Sequence, residues 1–203
     1  DAGIRVVSDL SDCDILFGIK EVPVPMLIPE KTYFFFSHTK KLQPYNQALF
    51  QAVIEKKITL IDYENLEHEN GTRLLGFGYF AGIVGAHNGI LAYGRRTRKY
   101  HLDRIYEKFD YRELISSYFG LKLPNIRVVV TGSGRVAHGI LEIMNLMGMH
   151  EVEPDKYLED SFPYPVYTNL NGADLFKNIR SGKYNREEFH EHPERYQSLF
   201  GKY

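Results

Sequence analysis

The sequence predicts an α/β protein: a parallel-sheet N-terminal domain over residues 1–124, joined to the opening of a second α/β unit over residues 125–203. Three observations carry this. Short apolar runs alternate with turn and helix signals through residues 1–65, the rhythm of parallel strands joined by crossovers. Thr32-Tyr33-Phe34-Phe35-Phe36 is continuously β-branched or aromatic, as in a strand buried on both faces. Finally, Ile126-Arg127-Val128-Val129-Val130-Thr131 runs into Gly132-Ser133-Gly134 and then an apolar helical stretch.

Residues 4–7 and 14–19 read as strands, followed by Val22-Pro23-Val24-Pro25, where successive prolines forbid a helix and give a loop. After the strand at 32–36, Leu49, Phe50, Val53 and Ile54 recur at helical spacing within 44–57, with Pro44 in the first turn. Residues 58–62 give a further buried strand. From 74 to about 93 the small-residue run Ala81-Gly82-Ile83-Val84-Gly85-Ala86 predicts a helix whose glycines admit a close neighbour. Residues 100–119 read as a charged helix ending at Gly120, before the domain boundary at Leu123-Pro124-Asn125. Beyond Met149 the chain reads as an insertion rather than as a continuing parallel sheet, with helices at 172–179 and 186–200, the latter interrupted near Pro193.

Composition narrows the function classes. With 25 basic and 26 acidic residues the formal charge is -1, so no global field draws in a nucleic-acid backbone. The basic run Arg95-Arg96-Thr97-Arg98-Lys99 reads as the solvated end of a helix, where cations oppose the dipole. No apolar run reaches the roughly 18 to 20 residues that a membrane span requires. Cys13 is the single cysteine, which excludes an intrachain disulfide and a multi-cysteine metal site and fits a reducing, cytoplasmic setting. His190-Glu191-His192 lacks nearby third and fourth ligands and reads as charged surface, so no metal site is expected.

The glycine turn is the first motif with chemistry. Gly132 permits the tight turn, Gly134 lets backbone approach a pyrophosphate, and small Ala137 lets helix and strand pack closely, with Ser133, Arg135 and Val136 completing the segment. The helix N-terminus supplies free amides and partial positive charge for phosphates. A structural glycine turn is the competing reading. The ribose-binding acid of such a unit comes about 20 residues on, where either Glu151 or Glu153 stands. A complete Rossmann-type domain needs several more parallel strands than residues 125–203 supply, so the predicted nucleotide-binding domain is incomplete. Self-association would cover its exposed sheet edges.

Lys20 and His38 lie just past the ends of consecutive strands, the edge at which parallel α/β sheets bind ligands. Glu21 follows Lys20, and Asp62 and Glu64 follow the next strand on the same edge. A lysine or histidine so placed can exchange protons near neutrality, though a lone lysine is more often a solvated surface group and a lone histidine more often a satisfied hydrogen-bonding residue.

Phe17-Gly18-Ile19-Lys20-Glu21-Val22-Pro23, Phe36-Ser37-His38-Thr39-Lys40, Leu60-Ile61-Asp62-Tyr63-Glu64 and the run from Arg73 through Leu74-Leu75-Gly76-Phe77-Gly78 resemble, in order, the motifs of saccharopine dehydrogenases and of the lysine-ketoglutarate reductase domain, relatives of alanine dehydrogenase. The resemblance implies a flavodoxin-like catalytic domain and a reversible, NAD- or NADP-dependent oxidation of a secondary amine, releasing lysine and 2-oxoglutarate. It implies Lys20 and His38 as acid-base groups, Glu21, Asp62 and Glu64 as substrate-binding or tuning acids, and Arg73 as a substrate-carboxylate contact. Against the family pattern the chain reads as truncated at both ends. An alanine dehydrogenase-like enzyme and a non-catalytic nucleotide-sensing module are the alternatives, the fold being common to all.

Overall fold

The computed structural model describes residues 3–203 and confirms an α/β chain built on parallel sheets. It divides into two compact units that part between Gly76 and Phe77. The sequence placed the boundary at 124/125; the helices between these points pack with the second unit.

In the first unit, β1 (Ile15–Lys20), β2 (Thr32–Phe36) and β3 (Thr59–Asp62) form a parallel sheet in the order β1-β2-β3. The crossover from β2 to β3 is α1 (Gln47–Glu55), entered through a 3-10 turn at Pro44–Asn46 where proline lacks only an amide that has no partner anyway. Leu49, Ala52 and Val53 of α1 pack on Leu16, Tyr33, Phe35 and Ile58. Each large aliphatic side chain so buried stabilises the fold by about 1.5–3 kcal/mol.

Phe34 of β2 is only partly buried and Phe17 of β1, stacked on it at 4.6 Å, is 73% exposed, so β2 is not buried on both faces along its whole length as its composition predicts, although Phe36 is buried. The proline segment contains a 3-10 turn, Val24–Met26, because Pro25 is tolerated in a first turn. Lys56 holds that segment by donating to the carbonyls of Val24 and Leu27. Residues 4–7 are exposed and form no strand, since no neighbouring chain satisfies their amides.

The second unit opens with α2 (Gly78–Thr97) and α3 (Tyr111–Ser116), followed by β4 (Arg127–Thr131), α4 (Arg135–Leu146), β5 (His150–Glu151), α5 (Pro154–Glu159) and β6 (Val166–Leu170). The glycine prediction for α2 holds at Gly82: a Cβ there would lie 2.0 Å from the Val136 carbonyl oxygen, and one on Gly139 of α4 would lie 2.0 Å from that of Tyr79. These two helices therefore meet backbone to backbone. Arg95 and Arg96 fall in the last turn of α2, as read from the sequence.

Three expectations are corrected here. Residues 100–119 are mostly loop, with only α3 and a 3-10 turn at Ile105–Glu107 helical. Buried His87 of α2 reaches the Asp103 carbonyl oxygen through Nε2 at 2.9 Å and the Tyr118 hydroxyl through Nδ1 at 2.9 Å, which ties that loop to α2 in extended form. Beyond Met149 the parallel sheet does continue: β6 inserts between β4 and β5, giving the order β4-β6-β5. Lastly, the expected helices at 172–179 and 186–200 each break into a short helix and a strand, α6 (Gly172–Leu175) with β7 (Phe176–Asn178) and α7 (Arg186–Glu191) with β8 (Tyr196–Ser198). The strands pair antiparallel, because Phe176, Phe189, Tyr184 and Tyr196 gather into one aromatic cluster.

Candidate active site

Parallel pairing in the order β1-β2-β3 brings the carboxyl ends of three strands, and the residues after them, to one edge of the first unit. Between Phe17 and Lys20 the β1-β2 register shifts, so Lys20 pairs with Phe36 at the end of β2. Such an irregularity re-aims the side chains that follow it. Lys20 is exposed, and Glu21 comes next.

His38 follows β2 with φ of 54°, in the left-handed region that costs a non-glycine residue about 1 kcal/mol. Its Nδ1 lies 3.1 Å from Glu21 Oε2, and the Phe36 ring stacks on the imidazole. The Glu21 carboxyl is held below its ordinary range, first by its own backbone amide and then by the His38 ring and the charges of His38 and Lys20, against partial burial acting the other way. Lys20, Glu21 and His38 are thus one electrostatic group.

The acids after β3 differ from one another. Asp62 is buried and accepts from Ser37 Oγ at 2.5 Å, the Ser37 amide at 3.4 Å and the Glu64 amide at 2.9 Å. Glu64 is 3% exposed, with Oε1 3.4 Å from Arg73 Nη2, while Oε2 has no hydrogen-bond partner among the described residues. Arg73 comes from a hairpin-like loop in which Leu66 and Leu74 pair through their backbones, and its guanidinium is partly open to solvent. A cavity of about 320 Å³ is lined by Thr39, Asn46 and Phe50 among others, and His38 is not part of its wall.

Sequence reasoning missed Ser37, Thr39 and Asn46, which hold the His38 backbone. The available signal was a histidine flanked by two hydroxyl residues with an acid at the next strand end.

In the second unit Gly132 has φ of 102°, a conformation essentially restricted to glycine, and Ala137 is buried against it. Gly134 is the N-cap of α4, has no side-chain cap, and offers open space where a Cβ would stand. No acid occupies the first turn of α4. The α4 N-terminus is thus electropositive, with open space at Gly134, a setting that fits an anionic pyrophosphate. Glu153 caps the start of α5 beyond β5, with β6 between it and the β4 turn, about 9–10 Å away in the pairing direction. Glu151 is engaged with Tyr167, whose hydroxyl lies 3.3 Å from Oε2. The structure does not bring either acid to the strand adjoining the glycine turn.

No group of three His, Cys, Asp or Glu side chains among the described residues is arranged to hold a metal ion, and His192 pairs instead with Glu194 at 3.2 Å. No helix among them is long and apolar enough to cross a membrane.

Residues 1–84 match the family model described as alanine dehydrogenase/PNT, N-terminal domain. The alpha-aminoadipic semialdehyde synthase of Arabidopsis thaliana is 29% identical over 234 aligned residues, covering 98% of this chain and 22% of that protein. The mitochondrial enzyme of the same name from Bos taurus is 32% identical, covering 98% of this chain and 24% of that protein. A saccharopine dehydrogenase (NAD+, L-lysine-forming) from Candida glabrata is 25% identical over 81% of this chain and 48% of that protein. The chain therefore spans about a quarter of the synthases and about half of the dehydrogenase.

Proposed function

We propose that this chain, similar to alpha-aminoadipic semialdehyde synthases over 98% of its length and to a saccharopine dehydrogenase over 81%, is the proton-transfer part of a nicotinamide-dependent oxidoreductase acting on a secondary amine built from an amino acid and a 2-oxo acid. The observation that carries the reading is the Lys20, Glu21 and His38 group at the carboxyl edge of a parallel sheet, where α/β enzymes bind substrate.

In this reading a nicotinamide cofactor, NAD or NADP, would supply when bound the hydride acceptor for the carbon that bears the amine. Lys20 and His38 move the protons: the amine must lose one as the carbon is oxidised, and the departing amino group must gain one as water adds to the substrate imine. Glu21 stands within hydrogen-bonding distance of the His38 ring and next to Lys20 in the chain, a negative partner for both. Arg73, with Glu64 at its back, offers a guanidinium fork to a substrate carboxylate. Gly132, Ser133, Gly134, Arg135 and Val136 are the residues suited to hold the cofactor's phosphates; Glu153, expected from the sequence to meet its ribose, stands two strands away from that turn and is not assigned the role. A reducing compartment, the cytoplasm in this reading, fits an exposed lone Cys13; the bovine relative is named as mitochondrial.

The test is turnover in the full-length protein with saccharopine and NAD or NADP, with pyruvate plus ammonia as the alanine dehydrogenase-type alternative, with which the match over residues 1–84 is consistent. Lys20→Met and His38→Gln should each lower kcat about 100-fold or more with the fold intact. Unaltered rates in both would sink the assignment. Nucleotide binding without turnover of any amino acid would favour a sensing module.

A further inference from the structure

Resting on the proposed role of His38, we infer that Asp62 and Ser37, with Thr39 and Asn46, are positioning residues that fix the His38 ring against Glu21. Asp62 is then not a substrate contact. Asp62 is only 7% exposed, and both its carboxylate oxygens already accept hydrogen bonds from Ser37 and Glu64.

The geometry is a chain of ties across the three strand ends. A carboxylate only accepts, so the Ser37 hydroxyl proton goes to Asp62 Oδ2. Ser37 Oγ is then left as an acceptor, and Thr39 supplies it with both its amide at 3.1 Å and its hydroxyl at 2.6 Å. This bridge spans His38 from one side to the other. Asn46, 5% exposed, donates Nδ2 to the His38 carbonyl oxygen at 3.1 Å. Residues 37, 38 and 39 are thereby pinned around a left-handed His38, a conformation that persists only where its surroundings over-determine it. From that backbone the imidazole reaches Glu21 after β1. Asp62 after β3 therefore acts on Glu21 after β1 through the two residues that follow β2, in the same order as the strands in the sheet.

A positioning role and a binding role separate in kinetics. In the full-length protein, Ser37→Ala and Asp62→Asn should lower kcat roughly 10- to 100-fold, as expected when a reacting group is displaced by about 1 Å, while KM stays within about twofold. Ser37→Thr, which keeps the hydroxyl, should recover most of the rate. A second readout needs no turnover: mass-spectrometric rates of diethyl pyrocarbonate labelling should change severalfold at His38 in both variants and stay constant at exposed His68. Ser37→Ala leaves the Glu64 amide on Asp62 and keeps the inference testable if Asp62→Asn does not fold. Unchanged kcat and unchanged His38 labelling would overturn it, as would a KM that rises with kcat constant. If Lys20 and His38 variants also turn over normally, the proposed function has failed, and the labelling rates still decide whether the ties position the ring.

Discussion

Glu21 Oε2 lies 3.1 Å from His38 Nδ1, and this contact joins the residues that follow two adjacent parallel strands. The pairing is partly solvent-exposed, so its worth to stability is small, under about 1 kcal/mol. Its worth to a proton-transfer site lies in orientation and charge.

Glu21→Gln should accordingly leave thermal stability near neutral pH almost unchanged and lower kcat about 10-fold, the loss of one charge-assisted contact. The sign of the acid dependence follows from the lowered Glu21 pKa. The native state holds the carboxylate more tightly than the unfolded chain, so the contribution is complete above the ordinary glutamate range and disappears as pH falls through the lower native value. Stability curves of wild type and Glu21→Gln should converge in that acid window. A constant offset down to the lowest pH would contradict the pairing.

The crossing of α2 and α4 gives a sharper stability contrast. Gly82→Ala and Gly139→Ala each force a methyl group to within 2.0 Å of a backbone carbonyl oxygen, so the helices must separate. Destabilisation of about 3 kcal/mol or loss of folding is expected, at the upper end of overpacking costs. Gly85 lies in the same helix with open space where its Cβ would stand, and Gly85→Ala should stabilise by up to about 1 kcal/mol through helix propensity. Denaturant unfolding of the three variants checks this; equal effects would contradict the backbone contact.

Why some of this was legible and some not has physical causes. The parallel strands and their chemistry-bearing ends could be read because Phe35 and its neighbours are compositionally unmistakable and the residues after each strand are polar. Glycine spacing announced the α2 contact, but only coordinates distinguish Gly82, which is buried against Val136, from open Gly85 and Gly89. β6 was hidden because Pro163 and Pro165 precede it, although Val166-Tyr167-Thr168 carries a strand composition. Residues 100–119 carry helix-forming side chains, but tertiary ties from His87 decide their path. The Ser37 and Asp62 contact was out of reach because it spans two strands and depends on their register.

Alkaline pH probes the second unit. Burial pushes the Tyr100 and Tyr167 hydroxyls up to about 12 and drives that of Tyr118 in the same direction. Raised native pKa values mean a contribution fully present below the ordinary phenol value of about 10, lost as pH rises through about 12. Stability should fall across that window, with ultraviolet difference absorbance showing a late tyrosinate step. Tyr100→Phe, which removes a donor to the Ile90 carbonyl oxygen, should reduce that step. A single tyrosinate step near 10 would contradict the burial of these hydroxyls.

The glycine turn separates folding from ligand binding within three residues. Gly132 has φ of 102°, so Gly132→Ala strains the backbone by about 1–3 kcal/mol and should lower the unfolding midpoint. Gly134 has φ of -93° and nothing within 4 Å of a Cβ, so Gly134→Ala meets neither strain nor clash and should leave stability near wild type. Its methyl would fill the space through which a pyrophosphate reaches the α4 amides. Titration with NADH and NADPH followed by fluorescence should therefore give a Kd raised about 10-fold or more in Gly134→Ala, a loss of about 1.4 kcal/mol. Wild-type affinity in that variant would mean that the turn serves only to pack α4 on the sheet, and the cofactor site would have to be sought elsewhere.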